Sequence, residues 1–185
     1  MRRSLAVSVE IVYETHSISV DNERGVATGW LPGELSERGR KAAGELGERR
    51  RDDGIAAIFV SDLRRAVETA DIALGDSGIP THRDWRLREC NYGELNGMPA
   101  SRLEAGRALH IDVPYPGGES YRQAVERVRS FLDDLPGELD GGRILVIGHA
   151  ATRWALEHLL EGVPLEVVVD APFSWQPGWE YRFRR

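Results

Sequence analysis

Residues 55–74 read Ile55-Ala56-Ala57-Ile58-Phe59-Val60-Ser61-Asp62-Leu63-Arg64-Arg65-Ala66-Val67-Glu68-Thr69-Ala70-Asp71-Ile72-Ala73-Leu74. The first six form an apolar run between turn signals, the pattern of a strand buried on both faces. Ser61-Asp62 then open a helix, in which Leu63, Val67, Ala70 and Leu74 recur at the spacing of one helical face. The same order appears on either side. Upstream, Val7–Tyr13 (VSVEIVY) predicts a first strand, residues 14–34 a long loop, and Ser36 the cap of a helix running to about Arg51. Downstream, residues 80–97 read as loop and short strand, and residues 99–109 as a modest helix. Pro114, Pro116, Gly117 and Gly118 break the chain. An amphipathic helix follows with Tyr121, Ala124, Val125, Val128, Leu132 and Leu135 on one face. Arg143–Ile147 is a second buried-strand run, followed by Gly148-His149 and a helix to about Glu161. Trp179–Phe183 alternates and predicts a closing strand. Strands alternating with helices imply an α/β fold with a mostly parallel central sheet flanked by helices on both faces. No repeat, low-complexity tract or linker divides residues 1–185, so one domain is expected.

Composition narrows the chemistry. A net charge of -6 without a basic block argues against a nucleic-acid or anionic-membrane partner. No apolar run is long enough to span a bilayer. Met1-Arg2-Arg3 before Leu5-Ala6-Val7 hints at a secretory leader, but Glu10 and Glu14 interrupt the apolar stretch too early, and a cytoplasmic setting is expected. The lone Cys90 offers no internal disulfide. Of 24 basic residues only Lys41 is a lysine, which leaves Schiff-base chemistry one unpromising candidate. No GxxxxGK[ST] and no GxSxG is present. Anion binding would have to use arginine, histidine and backbone amides.

In parallel sheets ligands gather beyond the carboxyl ends of the strands. Three segments qualify: Glu14-Thr15-His16, Ser61–Arg65 and Gly148-His149. Each residue alone has a bland reading: a loop histidine bonding local backbone, or Arg65 paired with Glu68 or Asp62. Two histidines and an arginine at equivalent sheet ends make coincidence less plausible, and an arginine in a first helical turn suits a phosphate. His16, Asp21 and His149 could be gathered around a metal, but no HExxH or paired Cys/His spacing supports that, and no metal or other cofactor is expected.

The motifs resemble the histidine phosphatase (phosphoglycerate-mutase-like) superfamily, over roughly residues 9–160 and in family order. Its strand-R-H-G-E-T-x-x-N is met by Thr15-His16-Ser17-Ile18-Ser19-Val20-Asp21-Asn22, where His and Asn match while Arg, Gly and Glu do not. Leu35–Ala43 fits L-[ST]-x-x-G-x-x-Q/A-A. Ser61–Ala70 fits S-x-L-x-R-A-x-x-T-A at each fixed position. Leu87, Glu89, Gly93 and Gly97 fit L-x-E-x-x-x-G-x-x-x-G, Pro116–Ser120 a P-x-G-E-S-type string, and Gly148-His149-Ala150 the S/G-H-G.

The resemblance implies a phosphomonoester hydrolase working through phosphohistidine. Its site residues would be His16 as nucleophile, Glu89 as general acid, and Arg65, Asn22 and His149 as the phosphate pocket. Without the family, Glu89 would read as a surface partner of Arg86 or Arg88. Thr15 stands where the family has a clamping arginine. Arg153, one turn after His149, is the expected substitute and Arg24 a second, although Arg153 could equally pair with Glu157. The expected partner is a small phosphorylated substrate; the oligomeric state is open, a dimer included. Two alternatives stay: an impaired relative that binds a phosphorylated ligand, and a phosphomutase.

Overall fold

The computed structural model describes residues 8–185, so the leader-like start at Met1–Val7 lies outside the described residues. In chain order the elements are β1 (Ser8–Thr15), α1 (Val20–Glu23), β2 (Val26–Ala27), α2 (Glu37–Arg50), β3 (Ile55–Val60), α3 (Arg64–Leu74), β4 (Thr81–Arg83), β5 (Met98–Pro99), α4 (Ala100–Gly106), α5 (Tyr121–Asp133), β6 (Arg143–Gly148), α6 (Ala150–Glu161), α7 (Leu165–Asp170) and β7 (Trp179–Arg184). The main sheet has the order β4-β3-β6-β1-β7, with all pairs parallel except β1 with β7.

Alternation along each central strand sends side chains to opposite faces. Val9, Ile11 and Tyr13 of β1 join Ala57 and Phe59 of β3 and Ile144 and Val146 of β6 in one cluster, sealed by α5 and α6 through Val125, Val128, Trp154 and Ala155. Val12, Ile58, Val60, Leu145 and Ile147 face the other way, onto Leu46 of α2 and Ala66, Ala70 and Leu74 of α3. Helices cover both faces, as expected for strands that are apolar throughout.

Register places the functional end. Thr15 of β1 pairs with Gly148 of β6, and Val60 of β3 with Ile147 of β6. The three strands stop level, so His16, Ser61 and His149 emerge side by side. The edge strand β7 pairs with β1 only as far as Tyr13, which leaves the last two residues of β1 without a strand on that side.

Several local expectations shift. Residues 14–34 contain α1 and β2, and β2 pairs with β5 in a separate two-stranded ribbon. Helix α3 starts at Arg64, not Ser61, with Leu63 at its cap and no side-chain cap bond. Its buried face runs through Ala66, Thr69, Ala70, Ala73 and Leu74, while Val67 is half-buried. The sequence Leu165-Glu166-Val167-Val168-Val169-Asp170 has the composition of a strand but forms α7. Burial of Leu165, Val168 and Val169, at i, i+3 and i+4, overrides the β-branched preference. No helix of the described residues is long and apolar enough to cross a membrane.

Candidate active site

His16 leaves the end of β1, where its backbone N–H still donates to Gly148 O at 2.9 Å. Its Nδ1 lies 2.7 Å from the carbonyl of Ser17. A carbonyl only accepts, so Nδ1 carries the proton and Nε2 keeps its lone pair. Ser17 is itself fixed, because its N–H donates to Thr69 Oγ1 at 2.9 Å. Burial, with the Arg65 guanidinium beside it, pushes the pKa of His16 down to about 3. Gly39 of α2 is pressed against this segment: a Cβ there would sit 1.8 Å from Ile18 O, so the Gly of the Leu35–Ala43 motif admits the helix to the loop that follows His16.

Arg65 is 2% exposed, in the first turn of α3. Neither anticipated surface ion pair forms. Glu68 is held by Arg64 at 2.8 Å, and Asp62 by Arg88 through two 2.6 Å bonds. Arg65 instead donates to Gly29 O at 2.9 Å and, from Nε, to His16 Nε2 at 3.4 Å. Its Nη2 lies 3.2 Å from Nδ1 of His149. Arg65 makes no salt bridge among the described residues, so its charge is left for a ligand. The cost of burying it lowers its pKa from the ordinary arginine value.

His149 is fully buried at the start of α6. Because Arg65 can only donate, Nδ1 accepts and the Nε2 proton goes to Ser61 Oγ at 2.8 Å. Burial first, then the cations nearby, hold it neutral, well below the ordinary histidine range. The rings of His16 and His149 are 4.9 Å apart. His149 does not border the cavity described below. In the structure His149 meets the site through its contact with Arg65.

Glu89 is 9% exposed and pairs with neither Arg86 nor Arg88. Its Oε1 accepts from the N–H of Cys90 at 2.8 Å and of Ala151 at 3.1 Å. Burial raises its pKa above the usual carboxylate value, against the pull of those two N–H groups and of Arg65. Its backbone is held by a residue that sequence reasoning missed. Arg127, 7% exposed on α5, donates to the carbonyls of Arg86, Arg88 and Glu89 at 2.7, 2.8 and 2.9 Å, and to Glu119 Oε1 at 2.6 Å. Trp30 Nε1 adds a 2.7 Å bond to Glu89 O. The available signal was an arginine between Val125 and Val128, on the apolar side of an amphipathic helix.

His16, Arg65 and Glu89 border one cavity of about 800 Å³, together with Thr15 and Asn22. Asn22 uses its Oδ1 to accept from Ser19 N at 2.9 Å, which closes the capping box of α1. Asp21 accepts from Thr28 Oγ1 at 2.8 Å, and no group of three His, Cys, Asp or Glu side chains among the described residues is arranged to hold a metal. The two expected substitutes for the missing arginine are elsewhere. Arg24 does not border the cavity. Arg153 pairs with Glu157 at 2.9 Å, lies over the Trp179 ring at 5.3 Å, and lines a separate depression. One turn after His149 carries it away from the strand end, toward the edge strand β7.

The family model for the histidine phosphatase superfamily (branch 1) matches residues 14–174. The chain belongs to that superfamily. It is similar to the 2,3-bisphosphoglycerate-dependent phosphoglycerate mutase of Methylobacterium sp. (35% identical, covering 85% of this chain and 83% of the relative). A Bradyrhizobium sp. protein of the same name is 33% identical, with 86% and 84% covered. Among solved structures, a mycobacterial glucosyl-3-phosphoglycerate phosphatase complexed with VO3 superposes with a TM-score of 0.77 at 25% identity, covering 90% of this chain and 86% of that one. Bacillus stearothermophilus YhfR gives 0.78 at 25%, covering 91% and 88%. In this member of the superfamily the strand-end histidine, the arginine that follows β3 and the buried glutamate thus share one cavity, in a fold whose relatives include both phosphatases and mutases.

Proposed function

We propose that this histidine phosphatase hydrolyses small phosphomonoesters through a phosphohistidine at His16. The tautomer carries the proposal: with Nδ1–H spent on Ser17 O, Nε2 keeps an unprotonated lone pair, met only by the long 3.4 Å contact from a guanidinium that has no carboxylate partner among the described residues. Nε2 attacks phosphorus, the N–P bond forms and the P–O bond to the leaving group breaks. Glu89, whose protonated form is favoured by burial, gives its proton to the departing oxygen. Glu89 then takes a proton from water, the water oxygen attacks phosphorus, and the N–P bond breaks to release phosphate. Arg65 stabilises charge on the transferring oxygens. His149 and Ser61 are positioning residues that hold Arg65, and Asn22 offers its side-chain amide from the cavity wall. The cations present supply the charge stabilisation, so chelator is expected to leave turnover unchanged. A cytoplasmic setting goes with this reading.

The test is a quench with labelled p-nitrophenyl phosphate. Label should appear on His16, acid-labile and base-stable, and vanish in His16→Ala. Label on a hydroxyl residue, or undiminished turnover in that variant, would sink the proposal. Similarity to phosphoglycerate mutases supports a second reading, phosphomutase. Incubation with 3-phosphoglycerate and its bisphosphate separates the two: isomerisation without net phosphate release would favour the mutase. A family member impaired at Thr15 would bind phosphate yet release none from any ester.

A further inference from the structure

The base of the cavity is short of positive charge. A phosphomonoester brings nearly two negative charges, while His16 and His149 are neutral, Glu89 opposes ionisation, and Arg65 alone is a buried cation there. Thr15, at the cavity wall beside His16, adds only a hydroxyl.

Of the exposed or half-buried cations that border the cavity, Arg38, Lys41, Arg49 and Arg107, Arg49 is the one that meets the end of β1. Arg49, in the last turn of α2, borders the same cavity and lies 3.3 Å from both carboxylate oxygens of Glu14, the residue that precedes Thr15 on β1. Glu14 has a second, closer cation: Arg50 donates to its Oε1 at 2.9 Å and is further tied to Asp53 and to Pro177 O, which leaves Arg49 the longer 3.3 Å contacts to Oε1 and Oε2. Glu14 is buried where β7 no longer covers β1, so the charge of Arg49 is anchored at the strand end that carries His16. Its guanidinium lies 6.0 Å from the Trp175 ring, whose residue also borders the cavity. The side chain remains 30% exposed, against 11% for Arg50, so its head can turn from a loose pairing toward an incoming anion. Lys41, also on the cavity wall, is two helical turns away along α2, about 12 Å.

We infer that Arg49 is the second phosphate-binding guanidinium of this site, supplied from α2 in place of a cation at residue 15. The inference rests on the phosphohistidine reading for its catalytic consequence but not for binding, and the test separates them.

Inorganic phosphate is titrated by calorimetry into wild type, Arg49→Gln, Lys41→Ala and Arg153→Ala, alongside kcat/KM for p-nitrophenyl phosphate. Arg49→Gln should weaken phosphate about tenfold to hundredfold, the worth of a charge-assisted pair, with a comparable loss in kcat/KM. Arg153→Ala should change neither. Thr15→Arg should recover much of the loss in the Arg49→Gln background and gain little in wild type. Thermal melts check folding. If the Gln variant is unfolded, Arg49→Lys is read instead, because losing the planar fork still weakens phosphate several-fold. Unchanged phosphate affinity in the folded Arg49 variant, or a loss confined to Lys41→Ala, overturns the inference. Weakened phosphate binding together with no label on His16 would instead keep Arg49 and discard the covalent mechanism.

Discussion

Arg65 Nε lies 3.4 Å from His16 Nε2, while Arg65 Nη2 lies 3.2 Å from His149 Nδ1. A single guanidinium therefore faces the lone pairs of two imidazoles and disfavours a proton on either. In the proposed mechanism it marks the nitrogen that attacks, and among the described residues it makes no salt bridge of its own. Arg65→Ala should lower kcat/KM by roughly 10²–10³, the scale seen when one preorganised transition-state donor is removed. Arg65→Lys should recover only part, because an ammonium cannot reach both rings and a phosphate in one plane. Steady-state kinetics on an aryl phosphate decide this, and a loss under fivefold would show that Arg65 is not the principal donor.

The pH profile follows from two opposite shifts. His16 is neutral above about pH 3, so no limb from its protonation should appear near 6.5, where ordinary histidines titrate. Glu89 is raised, and activity should fall as pH climbs through its value and the acid is lost. Glu89→Gln should abolish that alkaline limb and harm alkyl phosphates far more than nitrophenyl phosphate, whose leaving group needs little protonation. Equal losses for both ester types would remove Glu89 from the role of acid.

Stability should run against activity on the acid side. His16 and His149 have lowered pKa values in the folded chain, so their contribution is complete above about 6.5 and is lost as pH falls toward the folded values. Glu89, raised, acts in the other sense: its contribution is present at low pH and is lost as pH rises through the folded value. Urea midpoints measured from pH 7 to pH 5 should fall, and the slope should flatten in His149→Gln. An identical slope in that variant would assign the acid sensitivity to other groups.

Arg127 is expected to matter for both folding and chemistry. Arg127→Met leaves the carbonyls of Arg86, Arg88 and Glu89, and the Glu119 carboxylate, without their common donor. Breaking a buried pair from one side costs about 3–5 kcal/mol. Arg127 also lowers the Glu89 pKa, so its loss should move the alkaline limb of kcat/KM upward. A destabilised enzyme with an unmoved limb would show that Arg127 holds only the backbone.

The chemistry-bearing residues were legible in the chain because strands buried on both faces are written as apolar runs. Ile55–Val60 and Arg143–Ile147 announced themselves, and Ser61, Arg65 and His149 had to follow them. Ser36 was equally legible as a helix cap, since a cap is a local bond between neighbours in sequence. Helix α7 was not, because the burial of Leu165, Val168 and Val169, rather than the intrinsic preference of valine, decides its conformation. Arg127 was hidden for a related reason: its partners lie 8 to 41 residues away, and only the docking of α5 on the Arg86–Glu89 segment brings them together.

The sequence by itself therefore determined the α/β class, the family, and which side chains stand at the strand ends. Those follow from the period of buried residues and from motifs whose spacing is short. Tertiary structure decided which cation faces the cavity. Arg153 and Arg49 both lie in helices near the end of β1, and no pattern in the chain separates them. Packing does: the rotation of α6 turns Arg153 toward Glu157 and Trp179, while the crossing of α2 over Glu14 brings Arg49 to the strand end. Where a long, flexible side chain delivers its charge depends on the angle at which its helix is packed, and that angle is set by contacts between residues far apart in sequence.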